Sequence, residues 1–377
     1  MKAKSIKGRS PEEIQSALQL SMHDGFKPTL AIVFASIEQA RSDLQKIFTN
    51  AGIDLFGVTT NGGFIDQDVE LKASSILLLE INPEYFTISL EEYPNKNYRE
   101  VTAAMAEKTL QKFHYPAFLI AGSHMETDAE QLLFGFADAI GQDVNIHGCM
   151  AGDDFTFTQQ FVFSNEVQTD RGILMLAFDQ DKIKIKGRAT CGWKAVGTVR
   201  TVTKSAGNHV YTVDDMPVLD LTAKYGGLEL KEKTDFSVEV AAQFPLQMQR
   251  DKGDPVMRPG LLIDWNDHSF YCSGSVPQGS KIRFSLPPDF DVIEKVINAC
   301  QELKTTEMPE ADAVLILSCA GRFIALGPLI NDEIEGMRRV WDVPTAGMFS
   351  NAELARATGG NLEMHNLTAC VVALKEK

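Results

Sequence analysis

Three times along this chain an apolar run is followed by an amphipathic stretch, a glycine-centred polar loop and a second apolar run. The first copy has residues 30–36 (LAIVFAS), a helix-like stretch to Ala51, the loop 57–64 (GVTTNGGF) and the run 75–81 (SILLLEI). The second has 117–123 (AFLIAGS), a stretch to Ile140, the loop 148–155 (GCMAGDDF) and the run 172–178 (GILMLAF). The third has 313–319 (AVLILSC), a stretch to Trp341, the loop 347–354 (GMFSNAEL) and the run 367–374 (LTACVVAL). Self-similarity of this kind predicts a repeated architecture in which the three loops occupy equivalent places. The continuous apolar runs predict strands in sheets covered by helices on at least one face, an α/β fold.

Local signals support the helices. Ser36 to Gln39 and Thr127 to Glu130 have capping-box spacing, in which two side chains satisfy two otherwise orphaned backbone donors. Ala40, Leu44, Ile47 and Phe48 then recur at helical spacing before Gly52, and Leu133, Phe134, Ala137 and Ile140 before Gly141. In the third copy Pro328 is placed for a first helical turn, with Ile330, Ile334, Met337 and Val340 as the apolar face. Each copy therefore reads strand–helix–strand–loop–strand.

Between the second and third copies the pattern changes. Residues 182–221 read as strands and turns, 220–227 as a short helix, and 238–244, 261–265 and 281–286 as further strands. The polar stretch 249–260 (QRDKGDPVMRPG) predicts an exposed loop, and 289–303 a helix leading into the third copy. A domain boundary is expected near 215–225, and residues 1–27 are expected to be a helical extension.

Composition narrows the function. The 377 residues carry a net charge of −15, which argues against a nucleic-acid-binding surface. No apolar stretch reaches the length of a membrane span, and the basic start is not followed by the apolar segment of a secretory signal. Six cysteines are scattered without a C-x-x-C pair, as expected for packed thiols in a reducing compartment. A cytoplasmic location is the expectation.

Residues 148–154 (GCMAGDD), 191–203 (CGWKAVGTVRTVT), 318–327 (SCAGRFIALG) and 365–368 (HNLT) resemble, in order, the landmarks of the FIST (F-box and intracellular signal transduction) family. The resemblance covers nearly the whole chain, implying a FIST N-terminal domain over 28–216 and a FIST C-terminal domain over 217–377. One departure is visible: the family often has a Y-G-E segment where this chain reads GMFSNAEL. The resemblance implies a non-catalytic sensory protein that binds a small ligand and signals through a partner protein such as a histidine kinase. Some bacterial members of this length resemble haem-containing nitric oxide sensors.

The loops offer chemistry of their own. Thr59, Thr60 and Asn61, beside Gly62 and Gly63, suit a carboxylate or an amino acid, or form a self-satisfied turn. Asp153 and Asp154 suit a ligand amine, a cap or a part in metal binding, and Ser350 and Asn351 occupy the third loop. Arg322 suits a carboxylate clamp, or an internal salt bridge, with Glu353 as the expected partner. Trp193 either stacks on something planar or packs in the core. His147 and His124 are the candidate proximal ligands if non-covalent haem is bound, with His365 a further possibility. An enzyme reading, a cysteine-dependent hydrolase or transferase, would use Cys149 or Cys319, with His147 two residues from Cys149. None of the G-x-S-x-G, H-E-x-x-H, P-loop or Rossmann signatures is present.

Overall fold

The computed structural model describes residues 1–230 and 237–377. Its framework is three copies of one unit. In each, a central strand lies parallel to the strand that follows its helix and antiparallel to the strand that closes the unit. In the first unit these are Leu30–Ala35, Asp54–Thr59 and Ser74–Glu80. In the second they are Pro116–Gly122, Asn145–Met150 and Gly172–Asp179. In the third they are Ala313–Cys319, Thr345–Ser350 and Ala369–Glu376.

The units also exchange strands. The segment after each glycine loop leaves its own sheet and pairs at the edge of another. Gly63–Ile65 of the first unit joins Thr345–Ser350 of the third, Val162–Phe163 of the second joins Asp54–Thr59 of the first, and Ala352–Arg356 of the third joins Asn145–Met150 of the second. The exchange closes a cycle, so each sheet has six strands and no unit completes its sheet alone. At Gly347 the ring of Phe64, from the incoming strand, lies where a Cβ would come within 2.2 Å, and Phe163 does the same at Gly57. These glycines admit a neighbouring strand rather than a ligand.

Alternation along the strands sets two layers of core. Leu30, Ile32 and Phe34 point into one shared core with Leu119, Leu315 and Leu317. Ala31, Val33 and Ala35 face the other way, under the first helix pair, Pro11–Ser21 and Arg41–Asn50. Phe118 and Ile120 lie likewise under Tyr98–Leu110 and Ala129–Ile140, and Val314 and Ile316 under Phe290–Thr306 and Ile330–Trp341. Burial on both faces is why these strands are continuously apolar.

The α/β reading and the equivalence of the three loops hold. Several local expectations do not. Residues 1–27 contribute a strand, Lys2–Gly8, as well as a helix, and both belong to the first unit. Ser36 does not cap a helix: the helix begins at Arg41, while Ser36 donates to Asp154 and Gln39 bonds Gly8 and Ser74. The second cap is Asp128, one residue past Thr127, whose hydroxyl turns back to the Ser123 carbonyl. Residues 238–243 are a helix capped by Ser237 rather than a strand. The supposed exposed loop 249–260 contains a buried strand, Val256–Arg258, anchored by hydrogen bonds from Arg258 to Glu130, Met364 and Asn366.

Between its first strand, Ile183–Thr190, and the helix Phe290–Thr306, the third unit carries an insertion with its own eight-stranded sheet and core. The boundary expected near 215–225 falls inside this insertion. Strands from both sides of it share one sheet, through Ile183–Thr190 and Ala369–Glu376.

Candidate functional site

The three glycine loops meet at the centre, as their equivalence requires, but they bind one another. The backbone N–H of Asn61 donates to Phe349, that of Asn351 to Met150 and that of Gly152 to Thr59, so every unit-to-unit contact has at least one backbone bond. Side chains finish the lock. The Thr59 hydroxyl donates to the Gly152 carbonyl at 2.6 Å, and the Thr60 hydroxyl to the carbonyls of Gly62 and Phe349. Asn61 accepts from the N–H groups of Asp153 and Phe155 and donates to Asn351, which donates to the Ala151 carbonyl. Asp153 is buried and accepts from the Thr158 N–H. Ser350 reaches the Ser318 carbonyl and Glu353. The side chains of Thr59, Thr60, Asn61, Asp153, Ser350 and Asn351, expected to meet a ligand, each make at least one hydrogen bond within the fold.

Arg322 is also internal. It forms a fully buried pair with Glu333, not with Glu353, through Nε at 2.7 Å from Oε1 and through Nη2 on Oε2. Its Nη1 donates to the carbonyls of Cys191 at 2.6 Å and Leu367 at 3.0 Å. The guanidinium lies 5.1 Å from the centre of the Trp193 ring. A ligand clamp needs a free fork; this one holds the segment Cys191–Trp193 in place.

That segment floors a cleft of about 800 Å³ between the insertion and the helix Phe290–Thr306. Trp193, Gln247, Asp254, Arg283, Lys295 and Asn298 are among its walls. Trp193 is only 4% exposed, and its buried indole N–H has no hydrogen-bond acceptor. An unsatisfied buried donor costs about 1–3 kcal/mol, so it marks a place where an acceptor would be welcome. Among the described residues, the side chains of Asp254 and Asn298 make no hydrogen bond or ion pair, and Lys295 has only a 3.5 Å contact to the Gly192 carbonyl. Asp254 and Lys295 both act electrostatically on Cys191, which places opposite charges around one spot. Burial pushes that thiol up to about 12.

Two of the motifs singled out in the sequence, 191–203 and 318–327, therefore converge here as floor and support. Asp254 and Lys295 escape sequence reading because they come from an insertion turn and a helix that meet only in three dimensions. The one available signal was Trp193 beside a glycine.

Each candidate haem ligand has a hydrogen-bond partner on at least one ring nitrogen. His124 lies on a partly exposed turn, with Nδ1 accepting from the Glu126 N–H and Nε2 3.0 Å from Arg171. His147 is buried, its Nε2–H directed at Asn145 Oδ1 at 3.0 Å, since the Asn145 amide nitrogen is spent on Gln180 and Ile185. Its Nδ1 has no hydrogen-bond partner among the described residues and lies beside Gly187. His365 bonds the Ala355 carbonyl. Among the described residues no cluster of three or more His, Cys, Asp or Glu could hold a metal ion.

A three-unit α/β framework with a ligand-sized cleft beside an insertion defines the class. The FIST N domain matches residues 29–216 and the FIST C domain residues 219–356, and the chain belongs to the FIST family. FIST domains are associated with small-ligand sensing in signal transduction. No curated protein matches the chain. Among solved structures, a cyanuric acid hydrolase from A. caulinodans aligns at 9% identity with a TM-score of 0.32, over 50% of this chain and 72% of that one. No helix among the described residues is long and apolar enough to cross a membrane.

Proposed function

We propose that this protein is a non-catalytic cytoplasmic sensor that holds a small zwitterionic, amino-acid-like molecule in the Trp193 cleft. It passes its ligand state to a partner protein such as a histidine kinase. The observation that carries the reading is the buried Trp193 N–H without an acceptor on the wall of an 800 Å³ cleft. A ligand carboxylate would satisfy that donor and Lys295, and an amine would meet Asp254. Pockets for small molecules combine this volume with a few placed polar groups.

The state of the cysteines supports a non-catalytic reading. Cys149 and Cys319 are buried, and burial, with the Glu353 carboxyl nearby, pushes both thiols well above their ordinary range. The thiolate is the nucleophile, and neither environment favours one.

Thermal unfolding with a panel of L-amino acids tests the proposal. A binding member at a hundredfold excess over its Kd should stabilise the chain by about 2.7 kcal/mol. Trp193→Phe, which keeps the ring and loses the donor, should weaken that binding. A panel without effect, or an effect identical in the variant, would remove the cleft from consideration. Turnover of a defined substrate, abolished by one substitution, would overturn the non-catalytic part.

A further inference from the structure

A second cavity, of about 430 Å³, opens where the strand Asn145–Met150 and the strand Ile183–Thr190 meet the turn 357–360. Three cations line it: Lys186, Arg188 and Arg356. They are incompletely matched. Among the described residues, the Arg356 side chain donates only to the carbonyls of Gln142 and Val144. Arg188 is 8% exposed, and its Nη1 lies 3.0 Å from Glu302 Oε2, an ion pair without hydrogen-bond alignment. Glu307, on the cavity wall, sits 3.3 Å from both Lys186 and Arg188. Charge-assisted pairs normally close to about 2.7–2.9 Å, so these are loose. The turn adds a donor of a different kind. Gly359 has φ +66, and its N–H has no protein acceptor among the described residues. A free backbone N–H beside guanidinium groups is a donor set that suits oxyanions.

We infer that this cavity is a second binding site, for a small, multiply charged oxyanion of the phosphate type, with the Glu307 carboxylate occupying part of the same cationic field in its absence. Arg356 and Lys186 supply charge at the mouth, Arg188 supplies charge within, and the Gly359 N–H supplies a backbone donor. The site is separate from the Trp193 cleft, although Thr358 lines both.

The test is calorimetric titration of the full chain with inorganic phosphate and, separately, pyrophosphate. Saturable binding is expected for at least one, weakened about tenfold or more by Arg356→Gln. Lys186→Gln, at a half-exposed position, provides a second loss variant whose folding is less exposed to risk. Glu307→Gln should do the reverse and tighten binding several-fold, because it removes the competing carboxylate. Absence of saturable binding by both probes overturns the inference. So does an affinity left unchanged by both loss variants, or one reduced by Glu307→Gln.

Discussion

The loop centre and the Trp193 cleft are both rich in polar groups, and they use them in opposite ways. At the centre, hydroxyls, amides and backbone N–H groups from three units are paired with one another, down to both ends of the Asn61 amide. In the cleft a buried indole N–H stays unpaired, and Asp254 and Lys295 remain available. A polar glycine loop is therefore not in itself a sign of binding; what matters is whether the fold consumes its donors and acceptors. The difference follows from symmetry. Three equivalent loops meet two neighbours each and can satisfy one another, whereas the insertion has no counterpart in the other units to complete it.

The largest expected effect comes from the support between the two regions. Arg322→Ala should leave the Glu333 carboxylate buried without a partner, since both side chains are fully buried. Breaking a buried pair in this way costs about 3–5 kcal/mol. Urea denaturation at neutral pH measures it. A loss below about 1 kcal/mol, the size of a surface pair, would mean that Arg322 is free to serve a ligand after all.

Sequence reading recovered the repeated framework because its signal is redundant: three copies of buried strand, amphipathic helix and glycine loop all report one pattern. It could not recover the strand exchange. Pairing of Gly63–Ile65 with Thr345–Ser350 joins residues as distant in sequence as Ile65 and Ala346, and nothing local in GGF distinguishes a crossing strand from an open loop. The same blindness turned Thr59, Thr60 and Asn61 into binding candidates, since a hydroxyl looks alike whether its partner is a ligand or the Gly152 carbonyl. Arg258 shows the converse. Its neighbours in QRDKGDPVMRPG spell a loop, and only contacts from Glu130, Met364 and Asn366 reveal a buried staple.

A second prediction probes the interior near the centre through pH. Glu353 is buried with Ser350 and Thr368 hydroxyls on its two oxygens. Burial raises its pKa from an ordinary 4.5 to about 8. The folded state then holds a proton that the unfolded chain releases, so this contribution to stability is full below pH 4.5 and is lost as pH rises through about 8. Glu353→Gln should therefore flatten the decline, gaining on the parent by on the order of a few kcal/mol towards pH 8. His147 and His365 act at the other end, burial lowering each from 6.5 to about 3, so their contribution is lost only as pH falls below 6.5. Chemical denaturation between these limits separates the two. A parent whose stability did not fall between pH 6.5 and 8 would contradict the buried-carboxyl account.

A smaller loss is expected within the lock itself. Asn61→Ala strands the N–H groups of Asp153 and Phe155, which now donate to Asn61 Oδ1 at 3.0 and 3.1 Å. The cost should be about 1–3 kcal/mol, the usual penalty for an orphaned buried donor. Ligand affinity at the Trp193 cleft should be unchanged once the protein is folded. Loss of binding with full stability would reverse the roles assigned to the two regions.

The smallest expected effect on stability, and the sharpest separation of the regions, belongs to Asp254→Asn. Asp254 is exposed and, among the described residues, its side chain makes no hydrogen bond or ion pair, so the fold has nothing to lose there. Stability should stay within about 0.5 kcal/mol of the parent, as for surface substitutions away from special features. Binding should respond differently. An aspartate facing a ligand ammonium contributes a charge-assisted hydrogen bond worth about 1.5–3 kcal/mol, and its amide replacement keeps the shape but loses the charge. Affinity for an amino acid should therefore fall about tenfold or more, while a deaminated analogue that keeps the carboxylate should bind parent and variant alike. Titrating both proteins with both compounds gives the answer in one comparison. Equal losses for the two compounds would place Asp254 outside the amine subsite, and no loss for either would place the ligand elsewhere than this cleft.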